Sequence, residues 1–216
     1  MKPSEAVIFD MDGVIVDSEP LHEQAFREVL DEIGYGRTHG LDFTAYYGMA
    51  DRTVWKDFLA KHQPVQTLDE LAEWKQRRFF ELLKEDEPVF EPLPELLEKL
   101  SPRYRLGLAS GSAHRVIREV LALKNLRRFF PVAVSAEDVV QGKPAPDIFL
   151  RTAELMKVLP ERCWVIEDSV AGVEGALAAG MRVIGITNTL SASQLKRATH
   201  VVDTYQEIER LLTLEV

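Results

Sequence analysis

The stretch AVIFDMDGVIVD, residues 6–17, decides how this chain is read. Its apolar start has the makings of a short strand, and two carboxylates, Asp10 and Asp12, follow at the exit with Gly13 behind them. Carboxylates left unpaired inside a fold cost on the order of several kcal/mol, so this pair must face solvent, a cation or a substrate. Ligand sites of parallel α/β sheets lie at the carboxyl ends of strands, where the pair stands.

Outward from this point, short β-rich runs recur at 105–109, 132–135, 164–166, 182–187 and 200–202. Helical stretches at 112–124, 146–158 and 170–179 separate the later ones. Alternation of this kind predicts an α/β fold, a Rossmann-like doubly wound parallel sheet covered on both faces. Several of the runs are apolar throughout, as strands buried on both sides require.

Residues 18–86 break the rhythm with consecutive helical patterns at 20–33, 42–47, 51–62 and 67–84. Pro20 suits a first helical turn, and Thr67 with Glu70 has capping-box spacing. The expected organisation is a core of residues 1–17 and 87–216, with an inserted all-helical cap of residues 18–86. Hinges fall near Asp17 and residues 85–94, and the proline-rich segment 87–97 reads as a stiff linker into a helix.

With 216 residues, 46% hydrophobic and 28% charged, the chain can bury one substantial core and a second small module. A net charge of -9 leaves no basic stripe to displace counterions, so nucleic acid is not an expected partner. An anionic substrate would need local help from a lysine, a metal or backbone amides. The single cysteine, Cys163, opens an apolar run and reads as a buried inert thiol. The five histidines form no zinc-like pair, and no apolar run approaches membrane-spanning length. The expectation is a cytoplasmic, monomeric protein with neither a nucleic-acid nor a membrane partner.

Four polar points follow strand-like runs in order: Asp10 and Asp12, then Ser110-Gly111-Ser112, then Lys143 in QGKPAPD, then Glu167-Asp168. In a parallel sheet these exits share one edge, so residues far apart in sequence can converge. A nucleophile, a second acid, a hydroxyl, a cation and an acidic pair suited to a hard divalent ion are the parts that phosphoryl transfer needs. Each part has a plainer use. The aspartates could belong to an ordinary loop, Ser110 could cap the helix behind it, Lys143 could lie at the surface, and Glu167-Asp168 could cap the 170–179 helix.

Taken together, DMDGVIVD, LASGS, GKPAPD and IEDS resemble the four ordered motifs of the haloacid dehalogenase superfamily. The likeness is greatest to the branch holding β-phosphoglucomutase and small sugar-phosphate phosphatases, which carries a helical cap between its first two motifs. The resemblance implies Asp10 as nucleophile, giving an aspartyl-phosphate, and Asp12 as the acid and base for the leaving oxygen and the attacking water. It implies Ser110, with Gly111 and Ser112, as phosphoryl binders, and Lys143 as the neutralising cation. Mg2+ would be held by Asp10, the Asp12 carbonyl and Asp168, with Glu167 ligating directly or through water. Asp12 argues against halide chemistry, because a halide leaves without a proton and a phosphate ester does not.

His22 stands at the place of a hinge histidine in the β-phosphoglucomutase pattern, and an ordinary place on the first cap helix is the other reading. That pattern also has a cap lysine and arginine around a glycine loop. In YYGMADR (46–52) the corresponding places hold Tyr47 and Asp51, with Arg52 one residue away. Ala113 and His114 replace a lysine and an asparagine after the second motif. A second phosphate would thus be poorly neutralised. The expected activity is magnesium-dependent hydrolysis of a small phosphorylated metabolite, a sugar phosphate. A mutase and a non-catalytic phosphate-binding module are the alternatives.

Overall fold

A computed structural model of the chain describes residues 5–46 and 51–214. Six strands form one sheet: β1 (Ala6–Phe9), β2 (Arg105–Ser110), β3 (Val132–Ser135), β4 (Cys163–Glu167), β5 (Arg182–Ile186) and β6 (His200–Val202). Their order is β3-β2-β1-β4-β5-β6 and every pair is parallel. The first strand of the chain is therefore central, with β2 on one side and β4 on the other.

Every residue of β1 and β4 is buried, which is why these runs are apolar rather than alternating. Side chains alternate across the sheet. On one face Ala6 and Ile8 join Val165, Val183 and residues of α6 (Asp147–Met156) and α7 (Val170–Ala178) in a single core. On the other, the Phe9 ring meets Phe130 edge-on at 5.7 Å. Each such fully buried large side chain contributes roughly 1.5–3 kcal/mol. Two further helices, α4 (Leu93–Leu100) and α8 (Tyr205–Leu214), pack on each other, and the buried Tyr104 hydroxyl donates to the Leu212 carbonyl at 2.8 Å.

The chain divides into two compact units, Met1–Asp17 with Val89–Val216, and Ser18–Pro88. The second unit is built from α1 (Glu19–Glu32), α2 (Asp51–Lys61) and α3 (Leu68–Asp86), around Phe26, Leu30, Trp55, Phe58 and Leu71. Pro20 occupies the first turn of α1, and Thr67 and Glu70 form the reciprocal capping box that starts α3. Such a cap is worth about 1 kcal/mol.

Several element boundaries differ from the sequence expectation. The stretch 42–47 is a short 3-10 turn, Phe43–Tyr46, and Tyr47 and Gly48 lie outside the described residues. The helix expected at 112–124 is α5 (His114–Ala122), whose N-cap is Ala113, so Ser110 ends a strand instead of capping a helix. Lys124 and Asn125 take positive φ just beyond α5, which stops it. Helix α8 was not anticipated. None of the described helices is long and apolar enough to cross a membrane.

Candidate active site

Parallel pairing sets Phe9 beside Leu108 and Ile166, so Asp10, Ser110 and Glu167 leave the sheet at the same edge. The Asp10 amide continues the ladder to the Ile166 carbonyl at 3.0 Å, which anchors its Cα to β4. Strand order reverses around β1, and the crevice at such a reversal is where ligands of doubly wound sheets bind.

Lys143 reaches this edge from the loop before α6. Its Nζ lies 2.5 Å from Asp10 Oδ1 and 2.5 Å from Glu167 Oε1, and donates to the Ala109 carbonyl at 3.3 Å. Burial opposes the lysine's charge, and the two carboxylates outweigh it, leaving the ammonium held more firmly than usual. Glu167 is fully buried; its other oxygen accepts from the amides of Asp168 and Ser169 and from the Ser169 hydroxyl, at 3.1, 3.0 and 2.8 Å. The Ser169 hydroxyl also caps α7 through the Gly172 amide. A Cβ at Gly172 would sit 1.8 Å from Glu167 Oε1, so only glycine lets the glutamate fold over the helix start.

Asp10, Glu167 and Asp168 each place a carboxylate oxygen within 4.8 Å of the others, all three buried. Desolvation raises the Asp10 pKa well above the carboxylate range; Lys143 opposes this, while Glu167 and Asp168 add to it. Asp168 is pushed up to about 7, by burial first and Glu167 second, against a hydrogen bond from Thr189. Three acidic side chains share one ammonium in a buried site, and a cation there would favour their charged forms. An all-oxygen set of this kind suits a hard divalent cation such as Mg2+. Gly13 completes the cradle: its φ is +78°, and a Cβ there would lie 1.9 Å from Asp168 Oδ2.

Asp12 is not in that cluster. Its Oδ2 accepts from the Ser112 hydroxyl at 2.9 Å. Ser112 is itself fixed: its amide donates to Ser110 Oγ at 3.0 Å, and its carbonyl accepts from Ser135 Oγ at 2.7 Å. Gly111 is exposed with open space above its Cα, which leaves its backbone accessible. Cys163, at the opposite end of β4, is buried, and desolvation pushes its thiol up to about 12.

The remaining two candidates, His22 and Arg52, belong to the helical unit. Arg52 is exposed and pairs with Asp69 at 2.8 Å, both side chains largely in solvent. His22 stacks on Phe79 with ring centroids 4.1 Å apart, and its Nδ1 contacts the ammonium of Lys75. Lys75 is 0% exposed, pairs with Asp51 at 2.7 Å and lies over the Phe26 and Phe79 rings. Sequence reasoning missed Lys75. The signal was there: it sits four residues after Leu71 and four before Phe79, on the buried stripe of α3. Asn188, Thr189 and Tyr205 were missed too, although the first two follow β5 as the other site residues follow their strands.

Fold and site define a class. Residues 5–180 match the haloacid dehalogenase-like hydrolases, and the chain belongs to that family. Among curated relatives it is 37% identical over 192 residues, 87% of each chain, to the phosphorylated carbohydrates phosphatase of Thermotoga maritima. It is 34% identical to the fructose-1-phosphate phosphatase of Escherichia coli, covering 83% of this chain and 95% of the relative. Among solved structures, a putative beta-phosphoglucomutase from Thermotoga maritima superposes with a TM-score of 0.85 at 31% identity, covering 98% of this chain and 100% of that one.

Proposed function

We propose that this protein is a Mg2+-dependent phosphatase of small sugar monophosphates that works through an aspartyl-phosphate on Asp10. One observation carries the reading: Lys143 bridges two members of a buried three-carboxylate cluster, while a separate carboxylate, Asp12, is held apart by Ser112. The relatives named as phosphatases of phosphorylated carbohydrates support the substrate class.

Asp10 and Asp168, with the Asp12 carbonyl, would hold the cation, which neutralises phosphoryl charge and aligns the group for in-line attack. Glu167 holds Lys143 with one oxygen and the start of α7 with the other, and its Oε1 keeps a lone pair for the cation or for a water bound to it. With Oδ1 of Asp10 bound to Lys143, Oδ2 is the attacking atom. It forms a bond to phosphorus as the ester P–O bond breaks, and the leaving oxygen takes a proton from Asp12. Water then attacks the aspartyl-phosphate and gives its proton to Asp12. The P–O bond to Asp10 breaks, and inorganic phosphate and the free carboxylate result. Ser110, Gly111 and Ser112 contribute hydroxyl and backbone donors to the phosphoryl oxygens. The helical unit is assigned the choice of sugar, through His22 and Arg52.

Phosphate release from a panel of sugar monophosphates tests this. Asp10→Asn is expected to lower turnover by ~10³-fold or more with the fold intact. Excess chelator should abolish activity and Mg2+ restore it; hydrolysis by the Asn variant or in chelator would reject the reading. Mutase chemistry is disfavoured because Asp51 stands where the β-phosphoglucomutase pattern has an arginine, and it pairs with Lys75. Accordingly, β-glucose 1-phosphate with a bisphosphate primer should yield free phosphate and no isomer.

A further inference from the structure

The loop that carries Asp12 is held from the far end of the chain. Residues 11–16 close on themselves: the Gly13 amide donates to the Val16 carbonyl at 2.8 Å, and the amides of Ile15 and Val16 donate to the Met11 carbonyl at 2.7 and 3.1 Å. That leaves the carbonyls of Gly13 and Val14 to be satisfied elsewhere. Asn188 Nδ2 donates to the Gly13 carbonyl at 2.8 Å and to Tyr205 Oη at 3.0 Å, and Tyr205 Oη donates to the Val14 carbonyl at 2.7 Å. Two adjacent peptide groups are thus gripped by one linked side-chain pair.

The grip is itself anchored. The Thr187 hydroxyl donates to Asp203 at 2.6 Å and its amide to the Val202 carbonyl at 3.0 Å, which sets the chain just before Asn188. Glu207 accepts from the amides of Asp203 and Thr204 and from the Thr204 hydroxyl, which fixes the start of α8 and hence Tyr205. The Tyr205 ring is buried and lies beside Phe90. Gly13 meanwhile sits at positive φ against Asp168, a conformation with little alternative room. The Gly13 carbonyl belongs to the Gly13–Val14 peptide, so turning it changes the Gly13 backbone angles and releases the adjoining Asp12–Gly13 peptide, whose amide is held by Val16, and with it the Asp12 carbonyl and carboxylate.

We propose that Asn188 and Tyr205 are positioning residues: together they lock the Asp12–Gly13 turn so that the acid and the Mg2+-facing carbonyl hold their working orientation. The inference rests on the phosphatase reading for its kinetic consequence, and on the loop geometry alone for its structural one. Tyr205→Phe keeps the ring and removes only the hydroxyl; Asn188→Ala removes the link. Ile208→Val, a trimmed core residue on the same helix, is the control for general destabilisation.

Three readouts are compared across these variants of the full chain. They are amide exchange of residues 11–16, the Mg2+ dissociation constant by calorimetry, and kcat and KM for p-nitrophenyl phosphate. Tyr205→Phe and Asn188→Ala are expected to accelerate exchange in 11–16, weaken Mg2+ binding ~5-fold and lower kcat ~10-fold, with KM within twofold. Ile208→Val is expected to leave all three near wild type. Unchanged exchange in 11–16 overturns the proposal, as does faster exchange with Mg2+ affinity and kcat unchanged. A wild type that binds Mg2+ and releases no phosphate from any ester rejects the phosphatase reading instead, and exchange and metal affinity still decide the clamp.

Discussion

Lys143 is one positive charge shared between Asp10 and Glu167, both buried. Removing one partner of such an arrangement leaves unpaired buried charge, a loss of roughly 3–5 kcal/mol. Lys143→Met is therefore expected to lower stability by that order in urea unfolding without Mg2+, and to regain part of it when Mg2+ is added. Gly13→Ala should fail differently. The new Cβ would overlap the Asp168 carboxylate and face a positive φ, so Mg2+ affinity and activity should both collapse. Cys163 gives a pH-dependent expectation. With its thiol pushed up to about 12, the thiolate fraction at pH 8 is about 10⁻⁴, so iodoacetamide should label it only after unfolding. A folded-state pKa above the unfolded one also means that this group loses stability for the fold as pH rises past the unfolded value, so alkali should unmask it.

At the scale of elements, the strands were legible because burial on both faces demands unbroken apolar runs, as in β1 and β4. Helix α3 was legible from its capping box and stripe. Helix α8 was overlooked, although its Tyr205, Ile208 and Leu212 are spaced three and four residues apart and all are buried. The polar ends of strands 1, 2 and 4 could be placed at one edge from order alone. What could not be read was which oxygen each donor takes: that Glu167 gives one oxygen to Lys143 and the other to the start of α7, or that Asp12 turns to Ser112, depends on packing far from those residues in sequence. In the helical unit, Lys75 is wholly buried whereas Asp51 keeps about a third of its side chain in solvent. The pair should respond asymmetrically to substitution. Asp51→Ala takes the carboxylate from a buried ammonium that keeps its contact with His22, and should cost about 1–2 kcal/mol, while Lys75→Met fills the same apolar slot and should cost under about 1 kcal/mol in the same unfolding assay.

For the molecule as a whole, the net charge of -9 sets a field that repels an anionic ester, and the Lys143 ammonium, with the proposed cation, opposes it locally. Screening that repulsion should help encounter. We expect kcat/KM for a sugar monophosphate to rise modestly, less than about threefold, between low and physiological ionic strength at saturating Mg2+. A fall with added salt would mean that attraction at the site outweighs the global field.

The central place of β1 has a further consequence for how the protein is made. This strand is made before either of its neighbours, and one of them, Cys163–Glu167, is synthesised only on the order of 10 s later at ordinary elongation speeds. Until then the nascent AVIF segment has an open edge and two greasy faces, while Ser18–Pro88 is a contiguous compact unit that is complete earlier in synthesis. Biogenesis should thus run from the insertion inward, with the N-terminal strand the piece most in need of a chaperone's shelter.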